Sequence, residues 1–156
     1  MSRISFSVSL CITEKSLLPS PKVSVSQLLN SRVMTLRTVE DTFRMHGFVN
    51  EISPKTAVVC GGGYIGLEVA DNLHALGIDV TIVQRPDHVL PQLDREMAAD
   101  VHHHIRSKGV DLRLSDAVVG FETEGGLTVL LRSGDRIEAD MAVVALGVLP
   151  DTVRAN

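Results

Sequence analysis

The residues with the clearest chemical meaning sit in "AVVCGGGYIGLEVA" (57–70), where Gly61, Gly63 and Gly66 are spaced G-x-G-x-x-G. Glycine at these spacings lets a phosphate meet bare backbone. The first turns the chain sharply, the second has no Cβ to hold a ligand away, and the third lets a helix close on its strand. A helix that starts here offers unpaired N–H groups and a partial positive charge to an anion. The glycines count only in the right setting, an apolar strand before them and a helix after them. About 20 positions beyond, where an acid would bind a ribose hydroxyl, stand Gln84 and Arg85. Gln84 can still bond a hydroxyl without repelling a 2′-phosphate, and Arg85 can pair with one. The plainer reading of Arg85 is a solvated loop charge.

Other candidate groups are weaker. "VHHHIR" suggests a metal, but neighbours on a helix point about 100° apart, so His102, His103 and His104 cannot converge on one ion. His102 shares a face with Arg106, which is no ligand, and no metal site is assigned. Cys11 and Cys60 form neither a CxxC nor a metal spacing. Cys60 lies in an apolar run and reads as a small buried hydrophobe, whereas a catalytic thiolate wants an exposed, electropositive setting. No Ser-His-Asp arrangement can be argued, and no residue is given a catalytic role.

The elements that must position these residues follow from the pattern. Thr56–Cys60 is a short continuous apolar strand of the kind buried in a parallel sheet. Ile65 to Leu76 is helical, with Ile65, Val69, Leu73 and Leu76 on one stripe and Gly77 as its stop. Asp79–Gln84 is a second strand, Arg85 to Leu93 a loop containing Pro86 and Pro91. Asp94 caps a helix that Gly109 closes, and Val110–Leu114 is a third strand. No crossover helix comes next. "AVVGFET", "LTVLLR" and "RIEA", separated by "EGG" and "SGD", read as an antiparallel meander. Met141–Leu146 is then a fourth parallel strand, ending at Gly147. This predicts an α/β fold: a Rossmann-like parallel sheet with helices on both faces and a three-stranded antiparallel β-meander as one crossover. Residues 33–54 read as a linker with a short helix (Thr38 as cap, then Val39, Phe43, Met45 and Val49) that Gly47 weakens and Pro54 stops. Residues 55–153 form the dinucleotide-binding domain, 154–156 a tail, and the Ser-rich 1–32 an irregular arm.

Whole-chain properties narrow the partners. A length of 156 residues suits one domain. With 44% hydrophobic residues, 3% aromatics and no Trp, the core must be Val, Leu, Ile and Ala. A net charge of −4 without a basic stripe argues against nucleic acid. No apolar run approaches the roughly 18 residues of a membrane span. "MSRISFSVSLCITEK" has no small-residue cleavage site after its weak apolar run, so a cytoplasmic setting is expected rather than secretion.

"AVVCGGGYIGLEVADNLHALGIDVTIVQRPDHVLPQLDREMA" (57–98) resembles the NAD(P)H-binding domain of the pyridine nucleotide-disulfide oxidoreductases, in the branch containing CoA-disulfide reductase and the NADH oxidases and peroxidases. "VMTLRTVEDT" and "ADMAVVALGVLPDT" resemble the segments by which that branch enters and leaves the domain. The resemblance covers about residues 33 to 153. It implies that Gly61, Gly63 and Gly66 line the pyrophosphate of NAD(P)H. Tyr64 would stand between flavin and nicotinamide, Ile65 would touch the nicotinamide half, and Glu68 would lie near the nicotinamide. Gly147 would approach from the fourth strand. It implies FAD in the intact enzyme only: the chain has no N-terminal fingerprint of a FAD domain, and Cys11, followed by "ITEKS", lacks the family's redox-Cys context. The arm 1–32 is then a remnant of that domain. Two functions are expected: half of a hydride-transfer site in a flavin-dependent reductase or oxidase, or an excised module that binds a nicotinamide dinucleotide without turnover. In the second case, apolar surface normally covered by FAD-domain segments would drive homodimer formation.

Overall fold

A computed structural model of the chain describes residues 32–146. Their order is β1 (Val33–Thr35), α1 (Val39–Ile52), β2 (Thr56–Cys60), α2 (Tyr64–Ala75), β3 (Asp79–Gln84), α3 (Arg95–Ser107), β4 (Asp111–Leu114), β5 (Val118–Glu122), β6 (Leu127–Leu131), β7 (Arg136–Ala139) and β8 (Met141–Val144). Gly147, Cys11, the arm up to residue 31 and the 154–156 tail lie outside the described residues.

The main sheet has five parallel strands in the order β1-β8-β2-β3-β4, and β5-β6-β7 form a separate antiparallel sheet. This is the expected α/β fold with its meander, with one strand more than the four read from sequence. Val33, Met34 and Thr35, inside the stretch read as linker, pair with Ala142, Val143 and Val144 of β8. Three residues are too few to show a strand period.

Side chains alternate strictly between two cores. Ala57, Val59, Ile82, Met141 and Val143 face one core, with Val69 and Leu73 of α2 and the partly buried Met45, Phe48 and Val49 of α1 and Val101 and Ile105 of α3. Val58, Cys60, Val83 and Ala142 face the other, against Phe121, Leu127, Val129 and Leu131 of the meander. Among the described residues, then, helices do not cover both faces as expected: they lie on one, and the meander covers the other. Topology supplies the reason. The connections β1–β2, β2–β3 and β3–β4 all step one way across the sheet. The strong preference for right-handed crossovers puts their helices on the same face. The return from β4 to β8 runs backwards and falls on the opposite face.

The helix ends follow local chemistry. Thr38 Oγ1 accepts from Asp41 N at 3.2 Å and Asp41 Oδ2 accepts from Thr38 N at 3.2 Å, a complete capping box. Two stripes differ from expectation at their ends. Val39 and Phe43 of α1 are exposed, as are Ile65 and Leu76 of α2, while Gly66, Val69, Ala70 and Leu73 form the buried face. Leu76 is the C-cap, already turning away from the sheet.

Asp140 joins β8 to the start of β2. Its Oδ2 accepts from Lys55 N at 2.7 Å, Thr56 N at 3.1 Å and Thr56 Oγ1 at 3.3 Å. The Lys55 amide holds its carboxyl below the ordinary carboxylate value, helped by Thr56 and the Arg32 charge and opposed by burial. Asp140→Ala is expected to destabilise the chain by about 2 kcal/mol, measured by urea unfolding. A depressed carboxyl stabilises above the usual value near pH 4 and loses that contribution as pH falls through its folded value. The acid limb of the wild-type stability curve should therefore be steeper than that of Asp140→Ala.

Candidate functional site

The glycine loop sits at the C-terminal edge of the parallel sheet, between the ends of β2, β3 and β8. Gly61 N donates to Val83 O at 2.8 Å. Its φ is +115°, and a Cβ there would lie 2.5 Å from Ala145 O. A Cβ on Gly66 would run into the carbonyl oxygen of Gly61. Gly63 differs from both: at φ −80° it is the N-cap of α2, and a Cβ on it would meet nothing within 4 Å. Gly61 thus makes the turn, Gly66 the close packing, and Gly63 faces open space.

The α2 N-terminus is bare. No side chain caps it and no acid lies in its first turn, in contrast to the boxed α1. The first-turn amides lack helical partners, and no carboxylate competes for them. Glu68 lies beyond that first turn and does not occupy the amides. A phosphate group fits these residues: a Cβ-free approach at Gly63, unpaired donors, and the positive end of a helix.

Gln84 is turned inwards rather than towards a ribose. It is 6% exposed, its Oε1 accepts from Gly62 N at 2.7 Å, and its Nε2 donates to His88 O at 3.2 Å. It fastens the glycine loop to the loop after β3. Leu90 N adds a bond to Gly62 O at 2.9 Å, and Val89, fully buried, packs on Gly62. Arg85 is exposed at the head of this loop.

The family model for the pyridine nucleotide-disulphide oxidoreductases matches residues 19–156. The chain belongs to this family. It is 32% identical over 118 residues to a coenzyme A disulfide reductase of Staphylococcus haemolyticus, covering 76% of this chain and 26% of that protein. Reduced CoADR-RHD of Bacillus anthracis is 42% identical with a TM-score of 0.73, covering 77% of this chain and 21% of that one. A water-forming NADH oxidase of Lactobacillus brevis bound to NADH is 28% identical with a TM-score of 0.71, covering 78% and 27%. Its engineered NADPH oxidase mutant, bound to NADPH, is 27% identical with a TM-score of 0.72, covering 80% and 28%. The chain spans 21% to 31% of the length of the curated relatives it matches.

In this chain the structure gathers Gly61, Gly63, Tyr64, Ile65 and Gly66 at one point. Tyr64 is 65% exposed and Ile65 44% exposed, and Glu68 is exposed one turn on. Cys60 is fully buried beneath the loop, and burial pushes its thiol up to about 12, which leaves it inert. His102 turns to the backbone of Val89 while His103 and His104 are exposed. Among the described residues no three His, Cys, Asp or Glu side chains are grouped to hold a metal, and no helix is long and apolar enough to cross a membrane. A cleft at the opposite sheet edge measures about 170 Å³ and is lined in part by Asp79, Asp111 and Glu138. It is smaller than the roughly 300 Å³ of ordinary ligand pockets, and its carboxylates would repel a phosphate.

Sequence reasoning missed the buttress of the site: Gly62, His88, Val89, Leu90 and His102. One signal was available. Val89 and Leu90 are an apolar pair inside a loop bounded by prolines, and a solvated loop has no use for one.

Proposed function

We propose that this chain binds NADPH across the C-terminal edge of its parallel sheet, as the coenzyme-binding part of a flavin-dependent pyridine nucleotide-disulfide oxidoreductase of the CoA-disulfide reductase or NADH oxidase type. The observation that carries this reading is the bare α2 N-terminus facing open space at Gly63. The pyrophosphate lies on the amides of Gly63, Tyr64 and Ile65, and Gly61 and Gly66 keep the turn tight beneath it. Tyr64 and Ile65, both exposed, cover the nicotinamide half, with Glu68 beside them. Hydride chemistry belongs to the nicotinamide and the flavin, while the chain's residues bind, orient and exclude water.

Arg85 favours the phosphorylated coenzyme. The five substitutions in the engineered NADPH oxidase are, in chain order, Gly→Ala, Asp→Ala, Ala→Arg, Met→Ser and Pro→Arg, at spacings of 18, 1, 1 and 5 residues. Gly66, Gln84, Arg85, Pro86 and Pro91 stand at the same spacings here. At the second position this chain has no acid, and at the third it already has the arginine. At the first and last it keeps Gly and Pro. A charge-assisted bond to the 2′-phosphate contributes about 1.5–3 kcal/mol. Arg85→Ala should therefore weaken NADPH binding about tenfold to a hundredfold and leave NADH binding unchanged. Calorimetric titration of both coenzymes checks this, and equal NADPH affinity in the two proteins would remove Arg85 from the site.

A second reading, coenzyme binding without turnover by this chain alone, draws on Cys60. Its thiol is buried and protonated, so it cannot serve as the redox centre. Steady NADPH consumption by the purified chain would reject this reading.

A further inference from the structure

α3 reaches the loop after β3 through two polar contacts among the described residues: the Arg95–Asp87 ion pair at 2.7 Å, and His102 Nε2, which lies 3.1 Å from Val89 N. A backbone N–H can only donate, so this imidazole nitrogen is the acceptor and carries no proton. Val89 is the middle of three consecutive tethered residues. His88 O accepts from Gln84 Nε2 and Leu90 N donates to Gly62 O. Gln84 Oε1 accepts from Gly62 N, so the N–H of Gly62 is held from the end of β3 and its carbonyl from this loop. Leu90 has φ +48°, a left-handed conformation that a Leu keeps only when its surroundings hold it. The glycine loop is therefore clamped by residues 88–90, and residues 88–90 are clamped by His102.

We propose that His102 is a positioning residue for the coenzyme: the neutral imidazole holds the 88–90 turn, and with it the glycine loop and Arg85, in the geometry that binds NADPH, and protonation of the imidazole releases them. The proposal rests on the coenzyme reading above.

The groups around His102 agree with it. Arg106 lies on the same helix, and His88 and Asp87 face it from the loop, with Asp87 in turn paired to His88 and Arg95. Burial first, then the charges of Arg106 and His88, hold the imidazole below the ordinary histidine value, and Asp87 opposes them. The sign follows. A histidine whose value is lowered in the clamped state favours that state fully above the ordinary value of about 6.5. The contribution is lost as pH falls below it, through the lowered value.

The test is titration of NADPH into the full chain at about pH 7.5 and about pH 5.5, for wild type, His102→Gln and His102→Ala. Gln offers an acceptor oxygen near the Nε2 position without titrating, and Ala offers none. The 2′-phosphate and every ionisable group other than His102 are common to all three proteins, so differences between them isolate His102. At the higher pH, His102→Ala should bind about fivefold more weakly than wild type, and Gln should recover most of that loss. Acidification should weaken wild type about fivefold more than His102→Gln. Equal pH dependence in wild type and His102→Gln, or wild-type affinity in His102→Ala at the higher pH, overturns the proposal. Amide hydrogen exchange on the coenzyme-free chain separates its failure from that of the coenzyme reading. Acid should expose the Gly62 and Leu90 amides in wild type and not in His102→Gln, while Ile82 in the core stays protected. If wild type binds no NADPH, the coenzyme reading falls. The clamp then stands on that exchange difference or falls with its absence.

Discussion

Gly63→Val is expected to abolish coenzyme binding while leaving the fold intact. The backbone at Gly63 is ordinary, with φ −80° and ψ −175°, and a Cβ there meets no atom within 4 Å. A branched side chain is accommodated without strain, and the exchange of one N-cap residue for a poor one costs about 1 kcal/mol. The open space is where a pyrophosphate has to come within hydrogen-bond distance of the amides. Two methyl groups there remove at least two charge-assisted bonds of about 1.5–3 kcal/mol each. Binding should fall by about a hundredfold or more, read by titration calorimetry, with the urea midpoint close to that of wild type. Retained affinity in Gly63→Val would show that the ligand does not lie on this loop.

Gly61→Val should do the reverse and damage the fold itself. Its φ of +115° is closed to a β-branched residue, and the added Cβ would stand 2.5 Å from Ala145 O in the adjacent strand end. Neither neighbour can yield, because Gly61 N is bonded to Val83 O and Ala145 N to Cys60 O. Backbone strain and overpacking together should cost about 4 kcal/mol. For a chain of this size that lowers the melting temperature by about 10 °C. Scanning calorimetry checks it, and a melting temperature near that of wild type would contradict the steric account of the loop. The two glycines, two residues apart, thus separate binding from stability.

How far the molecule can be read from its sequence depends on the range of each interaction. The glycines were legible because their reasons are steric and local. So were β2, β3 and the meander, where apolar runs and Gly-containing turns follow each other directly. β1 was not, since "VMT" becomes a strand only by pairing with β8, more than a hundred residues on. The stripe of α2 was right at Val69 and Leu73 and wrong at Ile65 and Leu76, because a helix meets a twisted sheet along its middle and leaves its ends outside. The position of Gln84 could be read, but not the direction of its side chain, which is decided by the free amide of Gly62 and the carbonyl of His88. His102 was weighed only as a metal ligand. Its partner, Val89 N, is brought to it by the packing of α3, which no local pattern announces.

The central claim is that the coenzyme lies on the glycine loop at the C-terminal edge of the sheet. NADPH added stepwise to isotope-labelled chain tests it most directly, by amide chemical shifts. The largest shifts are expected at Gly62, Gly63, Tyr64, Ile65 and Arg85, with Asp79, Asp111 and Glu138 at the opposite edge unmoved. Shifts confined to that opposite edge, or none at saturating NADPH, would contradict it.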